Sequence, residues 1–193
     1  MATLKIPDRQ VTLTEATEIS RYLSPHGIFF EQWETEGRLT EDVASEDILR
    51  VFKPEIERLM TAGGYVAADV ISVNPSTPGL AEMLAKFDKE HTHSEDEVRF
   101  VVAGEGIFHI NPLEGDIFSI EMTAGDLINV PAGTKHWFNL CASKTIKTIR
   151  LFKDSKGWAP IYVDGGAHVK YEPLCFGQIK GELNTLIEPQ IRL

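Results

Sequence analysis

Two histidines and a glutamate stand close together in the segment EHTHSEDEVRF, which begins at Glu90. His91 and His93 are two residues apart, so on an extended strand both imidazoles would leave the same face. Glu97 follows a short polar stretch that is typical of a turn, and such a turn can bring its carboxylate back towards the imidazoles. The spacing therefore predicts that these side chains bind one divalent ion.

A fourth ligand must come from elsewhere in the chain, and His136 in the segment VPAGTKHWF is the candidate. Pro131 and Gly133 are typical of a tight turn just before a new strand. Three imidazoles and one carboxylate suit iron, nickel, manganese or zinc, and leave octahedral positions open for a substrate. Because the set contains no thiolate, it disfavours a closed structural zinc site.

Arg99 lies two residues after Glu97, so strand alternation predicts that its guanidinium enters the same cavity as that carboxylate. A cation at this position favours an anionic substrate.

Single histidines are usually surface or core residues, and we assign no site role to the other three histidines, His26, His109 and His168.

Helical patterns dominate the first part of the chain, residues 1–87. Thr14 is a good N-cap and predicts a short helix. Ser45 begins a second helical pattern, which Pro54 should kink or split, and a third apolar stripe follows Pro78. We therefore predict a mainly helical N-terminal part that also contains one strand-like segment, YVAADVISV.

The middle part, residues 88–153, has a different character. It consists of short runs that are rich in β-branched and aromatic residues and are separated by residues typical of turns. These runs are VRFVVAG, GIFHINP, DIFSIEMTAGD, LINVPAG, KHWFNL and TIKTIRLF. This pattern predicts an antiparallel barrel or sandwich. Residues 154–193 contain several glycines and prolines and are interpreted as an irregular C-terminal extension. We expect residues 1–193 to form a single domain.

Composition narrows the possible partners and surroundings. The chain has 193 residues and a net charge of −10, which argues against general attraction to nucleic acid or to anionic lipid. No apolar stretch is long enough to span a bilayer, and no secretory leader is evident, so we expect a cytoplasmic protein. The acidic surface favours a monomer.

Cys141 and Cys175 are too few for a disulfide framework, and we expect two reduced thiols.

Two segments resemble the two signature motifs of the cupin superfamily. The first, HxHxxxExxxxxxG, is matched by His91, His93, Glu97 and Gly104; the second, GxxxxxPxGxxH, is matched by Gly125, Pro131, Gly133 and His136. The resemblance implies a mainly β fold, a cupin jelly-roll barrel, here with an N-terminal helical cap. It also implies that the four candidate ligands hold the metal.

More narrowly, EHTHSEDEVRFVVAGEGIF and VPAGTKHWFNL are similar to the acireductone dioxygenases of methionine salvage. This resemblance implies O2-dependent cleavage of 1,2-dihydroxy-5-(methylthio)pent-1-en-3-one by one Fe(II) or Ni(II) ion per chain. With Fe(II) the products would be 4-methylthio-2-oxobutanoate and formate. With Ni(II) they would be 3-methylthiopropanoate, formate and carbon monoxide.

The same resemblance implies roles for residues around the metal. Arg99 and Arg150 would accompany the substrate, Asp96 would relay a conformational change, and three aromatic residues would line the pocket: Phe87, Phe138 and Trp158. Ordinary core packing is an equally open interpretation for the aromatics. Two alternative functions are another cupin dioxygenase or isomerase, and a non-catalytic binding protein. The two arginines count against the last, because a buried cation is costly without an anion.

Overall fold

The computed structural model describes residues 1–39, 43–154, 158–171 and 175–176. In these ranges the strands are β1 (Thr3–Ile6), β2 (Val11–Leu13), β3 (Phe29–Gln32), β4 (Ala67–Val73), β5 (His91–Thr92), β6 (Glu97–Asn111), β7 (Phe118–Thr123), β8 (Asp126–Val130), β9 (Lys135–Leu140), β10 (Ile146–Phe152) and β11 (Ile161–Tyr162). The α-helices are α1 (Ala16–Leu23), α2 (Ser45–Val51), α3 (Lys53–Gly63) and α4 (Leu80–Leu84). Within the described ranges, no helix has the length and apolar character needed to cross a membrane.

The long strand β6 organises the sheet, because its two halves pair with different neighbours. Its first half pairs with β8 and β10, and its second half pairs with β7 and β9. The change occurs at Gly104, whose φ of 78° is costly for residues with a side chain, and where a Cβ would collide with the Thr145 carbonyl. The sequence pattern places a break here, between VRFVVAG and GIFHINP, but the strand runs through it.

Two sets of strands extend from β6. One follows the order β11-β5-β9-β6-β7-β1-β2, and the other joins β3, β8, β6, β10 and β4. All of these pairings are antiparallel. The predicted fold class, mainly β with a few helices, is confirmed, although the pairing of the described strands leaves the sheet open and does not close a barrel.

The N-terminal part contributes strands as well as helices. The helical pattern from Ser45 is split into α2 and α3 just before Pro54, as its sequence predicts. The strand-like segment forms β4, but β1, β2 and β3 were not predicted. Each has three or four residues, which is too short for alternation to be recognised, and each is stabilised by pairing with a partner strand.

Alternation along β6 separates a packed face from the face that carries the site. Val98 and Phe100 are buried against α2 and α3, where the Phe100 ring lies 4.8 Å from that of Phe52. Glu97 and Arg99 alternate with them and therefore leave the opposite face. The apolar core under the helices thus fixes the direction in which these two charged side chains point.

The two cysteines form a disulfide, with their Cα atoms 5.2 Å apart. The expectation of two reduced thiols is therefore wrong. Cys141 follows β9, whereas Cys175 lies 34 residues later, in a part of the chain that returns to pack on Ile107. Two isolated cysteines so far apart in sequence give no sign of this return, because only tertiary packing brings them together.

Candidate metal centre

The four predicted ligands lie close together in the structure, although they come from three separate stretches of the chain. His91 lies in β5, Glu97 begins β6, and His136 lies in β9, directly opposite His91 in the β5–β9 pair. His93 follows β5 by one residue. All four are buried, with at most 3% of each residue exposed, and a possible donor atom of each lies within 4.8 Å of those of the others.

The carboxylate of Glu97 reaches between two of the imidazoles. Its Oε2 lies 2.8 Å from Nε2 of His136 and 3.3 Å from Nε2 of His93. The ring of His91 completes the group, with its centroid 4.5 Å from that of His136 and 4.9 Å from that of His93. The three rings and the carboxylate therefore converge on one small region.

Each imidazole is oriented by a backbone carbonyl at its outer nitrogen. Nδ1 of His91 lies 2.6 Å from the Lys89 oxygen, Nδ1 of His93 lies 3.0 Å from the Ala159 oxygen, and Nδ1 of His136 lies 2.8 Å from the Thr134 oxygen. Carbonyl oxygens only accept hydrogen bonds, so each Nδ1 must carry a proton and donate it. In the neutral imidazole, Nε2 then presents its lone pair to the interior.

The inner nitrogens fit a metal ion. Nε2 of His91 and Nε2 of His93 are buried and have no hydrogen-bond partner among the described residues. Nε2 of His136 faces Glu97 at hydrogen-bonding distance, yet a lone pair and a carboxylate oxygen repel each other unless a cation or proton lies between them. A divalent ion satisfies all of these groups at once.

The protonation states expected near neutral pH also suit metal binding. Burial, and then the neighbouring His136, lower the pKa of His91 to about 4, which favours the neutral imidazole. Burial alone would raise the pKa of Glu97, but the Arg99 guanidinium and the neighbouring imidazoles of His136 and His93 outweigh it and hold that pKa well below its usual value. The site therefore offers a neutral imidazole at His91 and an ionised carboxylate at Glu97.

Arg99 lies beside the ligands, as a cation that is almost fully buried. Its Nε donates a hydrogen bond to Oε1 of Glu97, the oxygen that does not face the histidines. Its guanidinium carbon lies 5.1 Å from the Trp158 ring and 5.8 Å from the Phe138 ring. The arginine thus orients the metal-binding carboxylate and keeps a positive charge at the edge of the site.

A small cavity of about 50 Å³ adjoins Arg99 and brings together four residues of the predicted site, namely Phe87, Arg99, Phe138 and Arg150. The rest of its wall is apolar and consists of Ile71, Val73, Met83, Leu84, Leu140 and Ile146. A larger cleft of about 700 Å³ is lined by residues 25–26, 111–114 and 132–135, and none of the four metal ligands lines either cavity. The chemistry of the smaller cavity makes it the better candidate for the substrate.

Sequence reasoning missed Asp69, which holds one of the cavity arginines. Asp69 lies opposite Arg150 in the β4–β10 pair. Its two carboxylate oxygens accept hydrogen bonds of 2.8 and 2.6 Å from Nε and Nη2 of Arg150. Such a bidentate pair fixes the orientation of the guanidinium. No motif marks Asp69, because the partner depends on the register between two distant strands.

Trp158 and Asp96 are linked outside the ligand cluster. The Trp158 indole N–H donates to the Asp96 carbonyl at 3.1 Å, and its ring centroid lies 6.1 Å from that of His93. The Asp96 carboxylate accepts hydrogen bonds from Tyr65, from Lys153 and from the Ala132 N–H, so its partners lie in three separate segments. The role of Asp96 in relaying conformational change stays a prediction.

Comparison with known proteins decides the family. Residues 6–160 match the model of the ARD/ARD' family. The chain belongs to the acireductone dioxygenase family. It is 42% identical over 175 residues to the acireductone dioxygenase of Picosynechococcus sp., an alignment that covers 90% of this chain and 99% of that protein. The Bacillus velezensis acireductone dioxygenase is 41% identical over 172 residues, which cover 84% and 96% of the two chains.

A solved structure supports the same assignment. The acireductone dioxygenase of Bacillus anthracis, which has a cadmium ion in its active centre, superimposes with a TM-score of 0.76 at 38% identity. The superposition covers 84% of this chain and 98% of that chain. The predictions of the family and of a metal-dependent dioxygenase are confirmed, and His91, His93, Glu97 and His136 form the metal-binding site.

Proposed function

We propose that this acireductone dioxygenase family member cleaves 1,2-dihydroxy-5-(methylthio)pent-1-en-3-one with O2, using one Fe(II) or Ni(II) ion. The observation that carries the proposal is the convergence of three inward-facing Nε2 atoms and the Glu97 carboxylate beside a cavity that contains two arginines. When bound, the ion supplies a Lewis acid and a template for the ionised substrate.

Charge balance supports an enediolate substrate. A divalent ion and the Glu97 carboxylate together carry a formal charge of +1, and a doubly deprotonated enediolate would change it to −1. Arg99 and Arg150, which both line the adjoining cavity, add two positive charges, and Asp69, which pairs with Arg150, adds one negative charge, so the whole set is neutral. In a site from which water is largely excluded, fixed cations stabilise a dianion more strongly than they would in water.

The chain's own residues divide the remaining tasks. The backbone carbonyls behind the histidines keep each imidazole in the tautomer that binds metal. Arg99 orients Glu97, and Asp69 orients Arg150. Phe87, Phe138 and the apolar cavity wall exclude water and offer a suitable surface for the methylthio end of the substrate.

The four ligands suit both Fe(II) and Ni(II), so we propose that the bound ion selects the products. Purified protein loaded with either ion would be mixed with freshly generated acireductone, and O2 uptake, formate and carbon monoxide would be measured. We expect O2 uptake with both ions and carbon monoxide only with Ni(II). The proposal is wrong if neither form consumes O2. An isomerase would convert substrate without O2, and a binding protein would saturate without turnover.

We also propose that the protein acts as a cytoplasmic monomer. The net charge of −10 favours repulsion between copies. Sedimentation velocity of the metal-loaded protein should give a mass close to the 21.5 kDa of one chain, and a species of twice that mass would contradict the prediction. Subcellular fractionation of the source cells should recover the protein in the cytoplasmic fraction rather than with the membranes.

A further inference from the structure

One segment near the C-terminus packs directly behind the metal ligands. We define the backing segment as residues 158–171 together with 175–176. The Ala159 carbonyl accepts the hydrogen bond from Nδ1 of His93, and Tyr162 pairs with His91 between β11 and β5. The Val163 N–H donates to the Glu90 carbonyl at 3.1 Å. The backing segment therefore helps to set the orientation of two of the four ligands.

Much of this segment is weakly attached. Its strand β11 has only two residues, and Ile161 and Tyr162 are more than half exposed. Val169, further along, is 78% exposed. Segments with few buried apolar contacts open locally at low free-energy cost. Contacts of β11 alone are therefore a poor explanation for how the segment stays against the ligands.

The far end of the segment, by contrast, is anchored. Cys175 is bonded to Cys141, and both residues are buried, at 3% and 0% exposure. The next residue, Phe176, donates its N–H to Glu121, and its ring lies 4.1 Å from the Lys5 ammonium. Cys141 directly follows β9, the strand that carries His136. The disulfide thus ties the backing segment to a strand that bears a third ligand.

We propose that the Cys141–Cys175 disulfide is a redox-sensitive latch: it holds the backing segment against the metal centre, and its reduction loosens the metal. In the reaction, a thiolate of a dithiol reductant attacks one of the two sulfurs to form a mixed disulfide. The second thiol of the reductant then displaces the protein sulfur. Two electrons pass to the protein, which gains two thiols, and the reductant becomes a cyclic disulfide.

The compartment favours a switch over a permanent bond, and burial determines how the bond can be reduced. Because both sulfurs are buried, the segment must open before a reductant can attack, so the rate of reduction reports that opening. If the protein is cytoplasmic, as proposed above, the surroundings are reducing, and disulfides found there are usually transient or redox-sensing. The latch then couples metal retention to the thiol–disulfide balance around the protein.

The test compares oxidised and reduced protein without any substitution. Thiols would first be titrated in denatured, unreduced protein, in which we expect none. A second sample would be reduced with dithiothreitol and desalted without oxygen, and both samples would be loaded with Ni(II). We expect reduced protein to lose Ni(II) to a chelator on the order of tenfold faster, the effect typical of removing groups that support metal ligands.

Hydrogen exchange supplies a second measurement that is independent of the metal. Amides of residues 158–171 should exchange faster in the reduced protein, whereas those of β6 should be unchanged. The double variant Cys141→Ala/Cys175→Ala is the matched control and should behave like reduced protein whether or not reductant is present. Two reactive thiols in the unreduced protein, or equal rates of Ni(II) loss before and after reduction, would overturn the proposal. None of these measurements uses acireductone, so they stand apart from the test of the enzymatic activity.

Discussion

Arg99 and Arg150 lie directly opposite each other on the neighbouring antiparallel strands β6 and β10. Like charges in this arrangement destabilise a sheet, but each arginine has its own carboxylate: Arg99 pairs with Glu97 and Arg150 pairs with Asp69. Both arginines also line the same cavity. The sheet thus concentrates two oriented cations beside the metal ligands, which is an arrangement suited to a dianionic substrate.

Replacing Arg99 should impair catalysis more than it impairs metal loading. In Arg99→Ala the four ligands remain, so with excess metal we expect nearly one equivalent of bound metal, although losing the hydrogen bond to Glu97 should weaken the metal affinity. We expect kcat/KM to fall about 100-fold or more, the usual cost of losing one fixed group that stabilises developing charge. Metal analysis, O2 uptake and the absorbance of the bound enediolate would be measured. Arg99→Lys, which keeps the charge, should be less impaired, and an Arg99→Ala variant with the wild-type rate would reject this role.

Replacing His136 should remove the metal. His136→Ala takes away one of four ligands, the imidazole whose Nε2 lies 2.8 Å from Oε2 of the buried Glu97 carboxylate. We expect bound Fe(II) or Ni(II) to fall well below one equivalent in elemental analysis after dialysis. His26→Ala is the control, because His26 packs near Tyr22 and Phe118, outside the ligand set. Full metal retention by His136→Ala would refute the ligand assignment.

Asp69 and Arg150 should act as one unit. In Asp69→Asn the bidentate pair is lost, so the Arg150 guanidinium is no longer held in its orientation. We expect kcat/KM to fall by about tenfold, corresponding to about 1.4 kcal/mol, with unchanged metal content. The double variant Asp69→Asn/Arg150→Lys should be little worse than Arg150→Lys alone, because both changes remove the same interaction. If the losses in kcat/KM of the two single variants are fully additive in the double variant, a positioning role for Asp69 is contradicted.

Buried His109 should make stability fall with acidity. Its Nδ1 lies 2.7 Å from the Ser119 hydroxyl, and burial lowers the pKa of His109 to about 4, from the 6.5 of an exposed histidine. Between these values the unfolded chain binds a proton that the folded protein does not. The contribution of the buried, neutral His109 to the free energy of unfolding is therefore intact above about pH 6.5, and it declines as the pH falls towards 4. From pH 7 to pH 5 this one group should reduce the free energy of unfolding by about 2 kcal/mol.

Denaturant titrations of metal-free protein at pH 7 and pH 5 would measure this difference. The variant His109→Gln cannot take up the proton, so the difference between the two pH values should shrink by about 2 kcal/mol. Ser119→Ala retains the imidazole and should keep most of the pH dependence. If His109→Gln shows the same difference as the wild type, the buried imidazole is not the source.

Local patterns were sufficient wherever a property depends on residues near each other in sequence. The HxH spacing and the following Glu97 indicated the metal centre, and the period of two along β6 predicted the direction of Arg99. Pro54 predicted the split between α2 and α3. These features were predictable because strand alternation, turn preferences and proline geometry act over a few residues. The same approach did not predict the three short N-terminal strands, because β1, β2 and β3 are too short to show a period of two.

The sequence by itself determined the kind of site: a carboxylate and three histidines for a divalent ion, with an arginine two residues beyond the carboxylate. Tertiary structure alone decided that His136 stands opposite His91, that Asp69 holds Arg150, that Ala159 supports His93 and that Cys141 is bonded to Cys175. Each of these pairs joins residues separated by dozens of positions. The free energy that selects them comes from strand register and packing across the whole domain, which no local pattern encodes.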